Sequence, residues 1–514
     1  MRSYNAKPIQ SVLLVSLLLT ACGGGGSTLS CTTVQAPAPV PVPVVTSTGT
    51  DFFLTLPNHL CASSPASCNI LDTSVSNKLI VVGPPMTNGE WTFNKGVPQT
   101  YITDANGKAE ILLDKTAVLV SNEAIEDFGI HVTSQAPVSI YVVSETPYSA
   151  DGYLALPTAG LGTSYYVMAY AGSGQTGSEF AVVATQDNTA VTITPKAAGS
   201  TKLANVPFTV VLGSGQTYQF TNTANADTTG SYVTADKPVA VFSGHRFANL
   251  PSSIGYGDYL VEQLPDVSIW GKTHHTSKFS GRSSYTVRVM ASQDNTTFTT
   301  LPAANAAAIG TLNAGEFRDI VLTGPGEFVS NNPVLVAQFM HGFAEDSTKG
   351  DPSMVIVTPA EQGMTDSTFV VHGLAGITGA YLNIVTETSA LANLMLDNVA
   401  VNPALFTTVG GTSIYSTGTI PVAPGVHTLL GSVPYSALVY DFGIAGNAVS
   451  YAYPVAEKLS LPAIANPSPA VCTNNQVTVS DQLDDDSEHE EHASNDHHHH
   501  DHDHHHDDSH DFDA

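Results

Sequence analysis

The sequence predicts an all-β protein made of tandem β-sandwich (Ig-like) repeat units, with a disordered His/Asp-rich C-terminal tail. The first supporting observation is a recurring phrase in which a polar turn leads through proline into an apolar run. It begins at Val138 in TSQAPVSIYVVSE, at Val239 in ADKPVAVFSGH and at Val334 in VSNNPVLVAQFMHG, and a fainter copy, PYSALVYDFG, begins at Pro434. The first three copies lie 101 and 95 positions apart, too long for a solenoid repeat or a propeller blade and suited to one small sandwich domain. The second observation is that Ala184-Thr185-Gln186-Asp187-Asn188-Thr189 is echoed by Ala291-Ser292-Gln293-Asp294-Asn295-Thr296. Each is followed by a strand-like run and then a Leu-x-x-Gly turn with an aromatic residue, at Leu212 to Tyr218 and Leu312 to Phe317. The third is the spacing of short apolar runs, such as KLIVVG at 78, YYVMAY at 165, EFAVVAT at 179, YTVRVMA at 285 and ALVYDFG at 437. Turn residues separate them at intervals of about ten, the signature of sandwiches. Only residues 387–396 (ETSALANLML) suggest a helix. About four such units are expected over residues 50–465.

In chain order, residues 1–21 come first. Arg2 and Lys7 precede a short apolar run, SVLLVSLLLT, which is too short to span a bilayer and has the proportions of a signal peptide. It ends Leu19-Thr20-Ala21-Cys22, which resembles the bacterial lipobox. That resemblance implies acylation of Cys22 as the first mature residue and a membrane-attached, lipid-anchored protein. Gly23 in place of Asp after the cysteine implies the outer membrane. Residues 22–49 hold four glycines and then APAPVPVPV, a flexible tether followed by a polyproline II tendency, and together they read as a stalk.

Without Cys22, four cysteines remain: Cys31, Cys61, Cys68 and Cys472. In an exported chain an even number predicts disulfides, with three connectivities open. Cys61 and Cys68 are close enough to close one small loop, and Cys31 and Cys472 flank the β region.

The charge balance is −28, with 17 Lys and Arg against 45 Asp and Glu, and charged residues make up only 12% of the chain. Clustered Lys and Arg are what nucleic-acid binding requires, so that partner is excluded. Half of the net charge lies in residues 481–514, which carry 14 acidic residues and 11 of the 19 histidines. Residues 466–514 are therefore expected to be disordered, having too little apolar surface to bury. The histidines are His489, His492, His497, His498, His499, His500, His502, His504, His505, His506 and His510. Imidazole and carboxylate suit Zn²⁺, Ni²⁺ or Cu²⁺, held weakly and in many interchangeable sets. The β region itself calls for no cofactor. His489-Glu490-Glu491-His492 lacks the spacing of a metalloprotease helix.

The phrases DTTGSYVTADKPVAVFSGH (227–245), YLVEQLP with the following WG (259–271), GDPSM (350–354), PAEQ (359–362), DGYLALPTAGLGTSYYVMAY at 151 and the two QDNT turns together resemble the N-terminal domain of the IgGFc-binding protein family. The resemblance runs from about residue 79 to 453. It implies an extracellular module that binds or adheres to a protein or glycoprotein ligand without catalytic residues. Where relatives often carry a cysteine pair, after SGH and before Asp-x-Leu, this chain has Phe247 and Gly257. A local staple is therefore missing, which implies a looser or differently shaped loop from His245 to Tyr259.

Other motifs favour structural roles. Asp351-Pro352-Ser353 reads as a turn, since no GxSxG is present and no His is placed to activate Ser353. His245, Arg246 and His341 follow repeat-end strands and read as domain-junction residues more readily than as a binding surface. Asp104-Ala105-Asn106-Gly107 reads as a β-turn rather than a Ca²⁺ loop. No nucleophile or acid/base constellation supports an enzyme. Two functions compete: surface adhesion through the β region, and metal buffering through the tail.

Overall fold

The computed structural model describes residues 44–64, 75–172, 177–346, 349–374, 380–443 and 448–460. Nearly all of the regular structure is antiparallel β. Four units follow one another, each organised on a long strand: Ile130–Thr146, Tyr232–Ala248, the split pair Gly326–Ser330 and Val334–Met340, and Gly425–Phe442.

Each long strand serves both sheets of its sandwich. In the first unit its beginning pairs with Asn88–Phe93 and its end with Ser76–Val82. The second unit repeats this with Thr189–Thr194 and Ser178–Ala184, and the fourth with Met395–Leu396 and Ala380–Glu387. Pro137, Pro238, Pro333 and Pro434 stand where the strand changes sheets. Proline has no N–H to donate, so it interrupts the ladder at the point where the strand must leave one partner for another. In the third unit the interruption is complete, and the strand stops at Ser330 and restarts at Val334.

The Gln-Asp-Asn-Thr turns are built alike. Asn188 and Asn295 take left-handed backbone (φ 54° and 57°), which asparagine tolerates. The Thr189 and Thr296 hydroxyls each donate to the Gln carbonyl three residues back at 2.7 Å. Asp187 and Asp294 accept from the Ser214 and Ala314 amides, fastening the glycine turn that follows in each unit.

Apolar cores lie between units as well as within them. One cluster joins first and second units through Tyr153 and Phe242, another the second and third through Leu260 and Met354, and a third the third and fourth through Phe279 and Tyr440. A fourth cluster joins the fourth unit back to the first through Tyr453 and Tyr141. The units thus close into a ring. Its seam is fastened by residues near the two ends of the described region: Ser47 N donates to Glu457 O at 2.8 Å and Leu459 N to Val45 O at 2.7 Å.

Residues 387–396 contain a 3₁₀ helix, Thr388–Asn393, followed by a two-strand hairpin turning at Asp397 and Asn398. Two short α-helices, Leu60–Ser63 and Ala304–Ile309, were not anticipated by the sequence pattern.

Candidate functional site

The last strand of each unit, Ser149–Leu154, Asp258–Gln263, Ser353–Ile356 and Ser450–Pro454, lies next to the long strand on one edge and against the other last strands around the ring axis. An open strand edge facing a buried axis leaves N–H groups that need acceptors. Buried side chains supply them. Gly152, Val261, Met354 and Ala452 occupy equivalent places, each opposite the sixth residue after its unit's switch proline. All four amides converge on the Asp151 carboxylate: Val261 and Met354 donate to Oδ2 at 3.2 Å, Ala452 donates to Oδ1 at 3.3 Å, and Gly152 donates as well.

Neighbouring levels along the axis use the same device. Asp258 Oδ1 accepts from the Ala150 and Tyr259 amides and from the Ser149 hydroxyl, at 2.9, 2.7 and 2.5 Å. Glu262 accepts from the Ile356 amide at 3.1 Å and from Gln263, while Pro454 at the equivalent place has no N–H to satisfy. Burial pushes the carboxyl pKa values of Asp151, Asp258 and Glu262 well above the usual range, with the amides pulling the other way. Among the described residues no three His, Cys, Asp or Glu side chains are grouped to hold a metal ion.

The connections from long strand to last strand all open at one end of this axis. The first is the tight turn 146–149, held by the Thr146 hydroxyl donating to Ser149 O at 3.0 Å. The second, residues 248–258, is fixed internally by Asn249 Nδ2 to Ile254 O (3.0 Å) and Ile254 N to Pro251 O (2.9 Å). Gly342 N of the third unit donates to Leu250 O at 2.6 Å, and Tyr256 packs edge-on against Phe343 with ring centroids 5.2 Å apart. Gly350 N donates to Gly443 O of the fourth unit at 2.8 Å, and the Ser450 hydroxyl donates to Asp351 O.

The positions of the missing cysteine pair are adjacent in space. A Cβ at Gly257 would sit 2.7 Å from the Phe247 ring, so a phenyl group over a bare glycine fills the place of the staple. This packing and the hydrogen bonds above shape the loop from His245 to Tyr259 in the absence of the staple.

Two side chains at this end stand out. Tyr148 and Tyr256 are 56% and 61% exposed, and both sit on left-handed backbone, φ 70° and 68°. Neither was singled out by sequence reasoning. Their signals, Pro147-Tyr148-Ser149 and Gly255-Tyr256-Gly257, resemble ordinary turns.

The other anticipated residues are placed as follows. His245 is buried, accepts at Nδ1 from the Phe247 amide, and is pushed by burial to about 3. His341 is buried between Ser284, Thr286 and Glu345. Neither lines an exposed surface. Asp351 and Ser353 are also buried, so Ser353 is out of reach of a substrate. The 104–107 turn is a β-turn in which Asp104 accepts from the Asn106 and Lys108 amides. Cys61 is buried and disulfide-bonded. Cys22, Cys31, Cys68, Cys472 and all the tail histidines lie outside the described residues.

Fold and site define an all-β repeat scaffold that gathers loops from neighbouring units at one end of a ring. The pattern of the family described as IgGFc binding protein matches residues 151–440, and the chain belongs to that family of binding proteins. It is 27% identical over 420 residues to the human "IgGFc-binding protein"; the match takes in 79% of this chain and 7% of the human protein.

Proposed function

We propose that the chain is a lipid-anchored surface protein whose ring binds an extracellular protein or glycoprotein. Family membership is the observation that carries this reading, and the loop end supports it by presenting side chains from several units on one fixed frame. The lipobox-like Cys22 and the Gly/Pro stalk would hold the ring away from the outer membrane. Surface plasmon resonance of the mature chain over immobilised human IgG Fc and mucin tests the binding: saturable binding to either is expected, and none to any surface glycoprotein removes the reading. Labelled fatty acid should be incorporated by the wild-type chain and not by Cys22→Ser.

The composition of residues 481–514 supports a second, separable activity, reversible loading of Zn²⁺ or a similar ion on the tail histidines. Deleting these residues should abolish Zn²⁺ uptake and leave ligand binding intact. Because binding needs neutral imidazole, uptake should fall between about pH 7.5 and about pH 5.5; equal capacity at the two pH values would contradict it.

A further inference from the structure

The turn 146–149 and the loop 248–258 abut at the ring axis, joined by the Ser149 hydroxyl on Asp258 Oδ1 at 2.5 Å. Residues 146–149 and 248–257 include no charged side chain, in a chain of net charge −28. Their composition is Tyr, Ser, Asn, Gly, Pro and a few apolar residues, the mixture that antibody loops use against folded proteins. There, tyrosine gives broad amphipathic contact at low entropy cost and Ser, Asn and Gly adapt their hydrogen bonds. Charged residues are depleted and aromatic ones enriched at the centres of protein interfaces.

Backbone strain gives an independent reason. A bulky side chain at positive φ is an outlier that costs of order a kcal/mol or more relative to glycine. Burial returns little of that cost, since Tyr148 and Tyr256 both remain more than half exposed, Tyr256 with one edge against Phe343. Glycine would make either turn more easily, and Tyr256 already has a glycine on each side. A strained and exposed aromatic at each of two touching loops is what a presented anchor requires.

Resting on the binding function proposed above, we propose that Tyr148 and Tyr256 are the anchors of the ligand-contact face, and that its occupant is a folded protein surface of low charge. Behind this face, Tyr256 rests edge-on against the buried Phe343 of the third unit.

The test is surface plasmon resonance of the full mature chain over human IgG Fc. Three proteins are compared: wild type, the double variant Tyr148→Ala/Tyr256→Ala, and Val97→Ser, an exposed apolar residue in the turn between Asn88–Phe93 and Gln99–Ile102 of the first unit. The double variant should lose binding by about thirtyfold or more, the effect of removing two hot-spot anchors, while Val97→Ser stays within about threefold of wild type. Thermal unfolding of each variant separates lost binding from lost folding. If wild type binds and the double variant, still folded, binds equally well, this face is not the contact face, though the binding reading stands. If wild type does not bind Fc, the choice of partner is overturned together with the Fc-directed form of that reading.

Discussion

The carboxylate of Asp151 accepts a hydrogen bond from the amide of Ala452, 301 positions away, at 3.3 Å. Counted with Gly152, Val261 and Met354, one side chain thereby satisfies the equivalent N–H of every unit in the ring. Removing the acceptor strands four buried donors at once, each costing roughly 1–3 kcal/mol. Asp151→Leu should therefore unfold the ring or lower its stability by several kcal/mol, on the order of 4 or more. Asp151→Asn keeps one acceptor oxygen and should lose less. Urea denaturation followed by tryptophan fluorescence measures both, and a loss under about 1 kcal/mol for the leucine variant would mean that the axis is not held this way.

Arg288 is buried between the second and third units. Its guanidinium pairs Nε and Nη2 with Asp319 at 2.7 and 2.8 Å, gives Nη1 to Asp227 Oδ2 at 2.7 Å, and lies 4.2 Å over the Phe317 ring and 4.8 Å over Tyr170. Burial raises the pKa of Asp227, but Arg288 together with the hydrogen bonds from the Thr229 amide and hydroxyl outweighs it and holds the carboxyl below its usual range. Breaking such a pair from one side is destabilising by about 3 kcal/mol or more. Arg288→Met should show this in denaturant titration, and Arg288→Lys, which keeps the charge but not the planar fork, should fall between.

How far the sequence disclosed this molecule depends on whether the signal is local. The switch prolines and the two Gln-Asp-Asn-Thr turns work within a few residues of themselves, so their repetition revealed the units. Ring closure uses Tyr141 with Tyr453 and Asp151 with Ala452, pairs with no sequence period. Asp151 and Glu262 lay inside the phrases that marked the family and Asp258 directly before one, yet their work as acceptors for strand edges becomes visible only when four strands meet. The helical look of residues 387–396 came from its Leu and Ala content. It yields a 3₁₀ turn because Asp397 and Asn398, with φ of 52° and 62°, impose a tight hairpin immediately afterwards. Tyr148 and Tyr256 were illegible because exposure and positive φ are properties of the folded chain.

Stability should fall as pH rises above about 6.5. Burial pushes Asp441 and Glu457 up to about 7, whereas unfolded carboxyls titrate near 4. Between those values the folded chain keeps protons that the unfolded chain has released, so rising pH favours unfolding. Buried His59, His245 and His274, pushed down to about 3, act oppositely; their effect fades as pH rises past about 6.5, where unfolded imidazole releases its proton, and it offsets part of the loss near that pH. From about pH 6.5 to 8 each of the two carboxyls should cost about 1 kcal/mol. Glu457→Gln should flatten part of that slope in thermal scans; an unchanged slope would show that Glu457 is already ionised at pH 6.5.

Tyr256→Gly and Tyr148→Gly should each stabilise the fold, by about 1 kcal/mol, by releasing the left-handed strain. The same substitutions should weaken ligand binding. A gain in one property with a loss in the other is the mark of strain kept for function, and thermal unfolding beside binding measurement on the two variants reads both.

The most direct measurement is hydrogen–deuterium exchange on the full mature chain with and without saturating human IgG Fc. Exchange should slow in peptides covering residues 146–149 and 248–257, with the outer strands Gln99–Ile102 and Phe208–Leu212 unchanged. Protection confined to those outer strands, or none anywhere while Fc is present in excess, would contradict it.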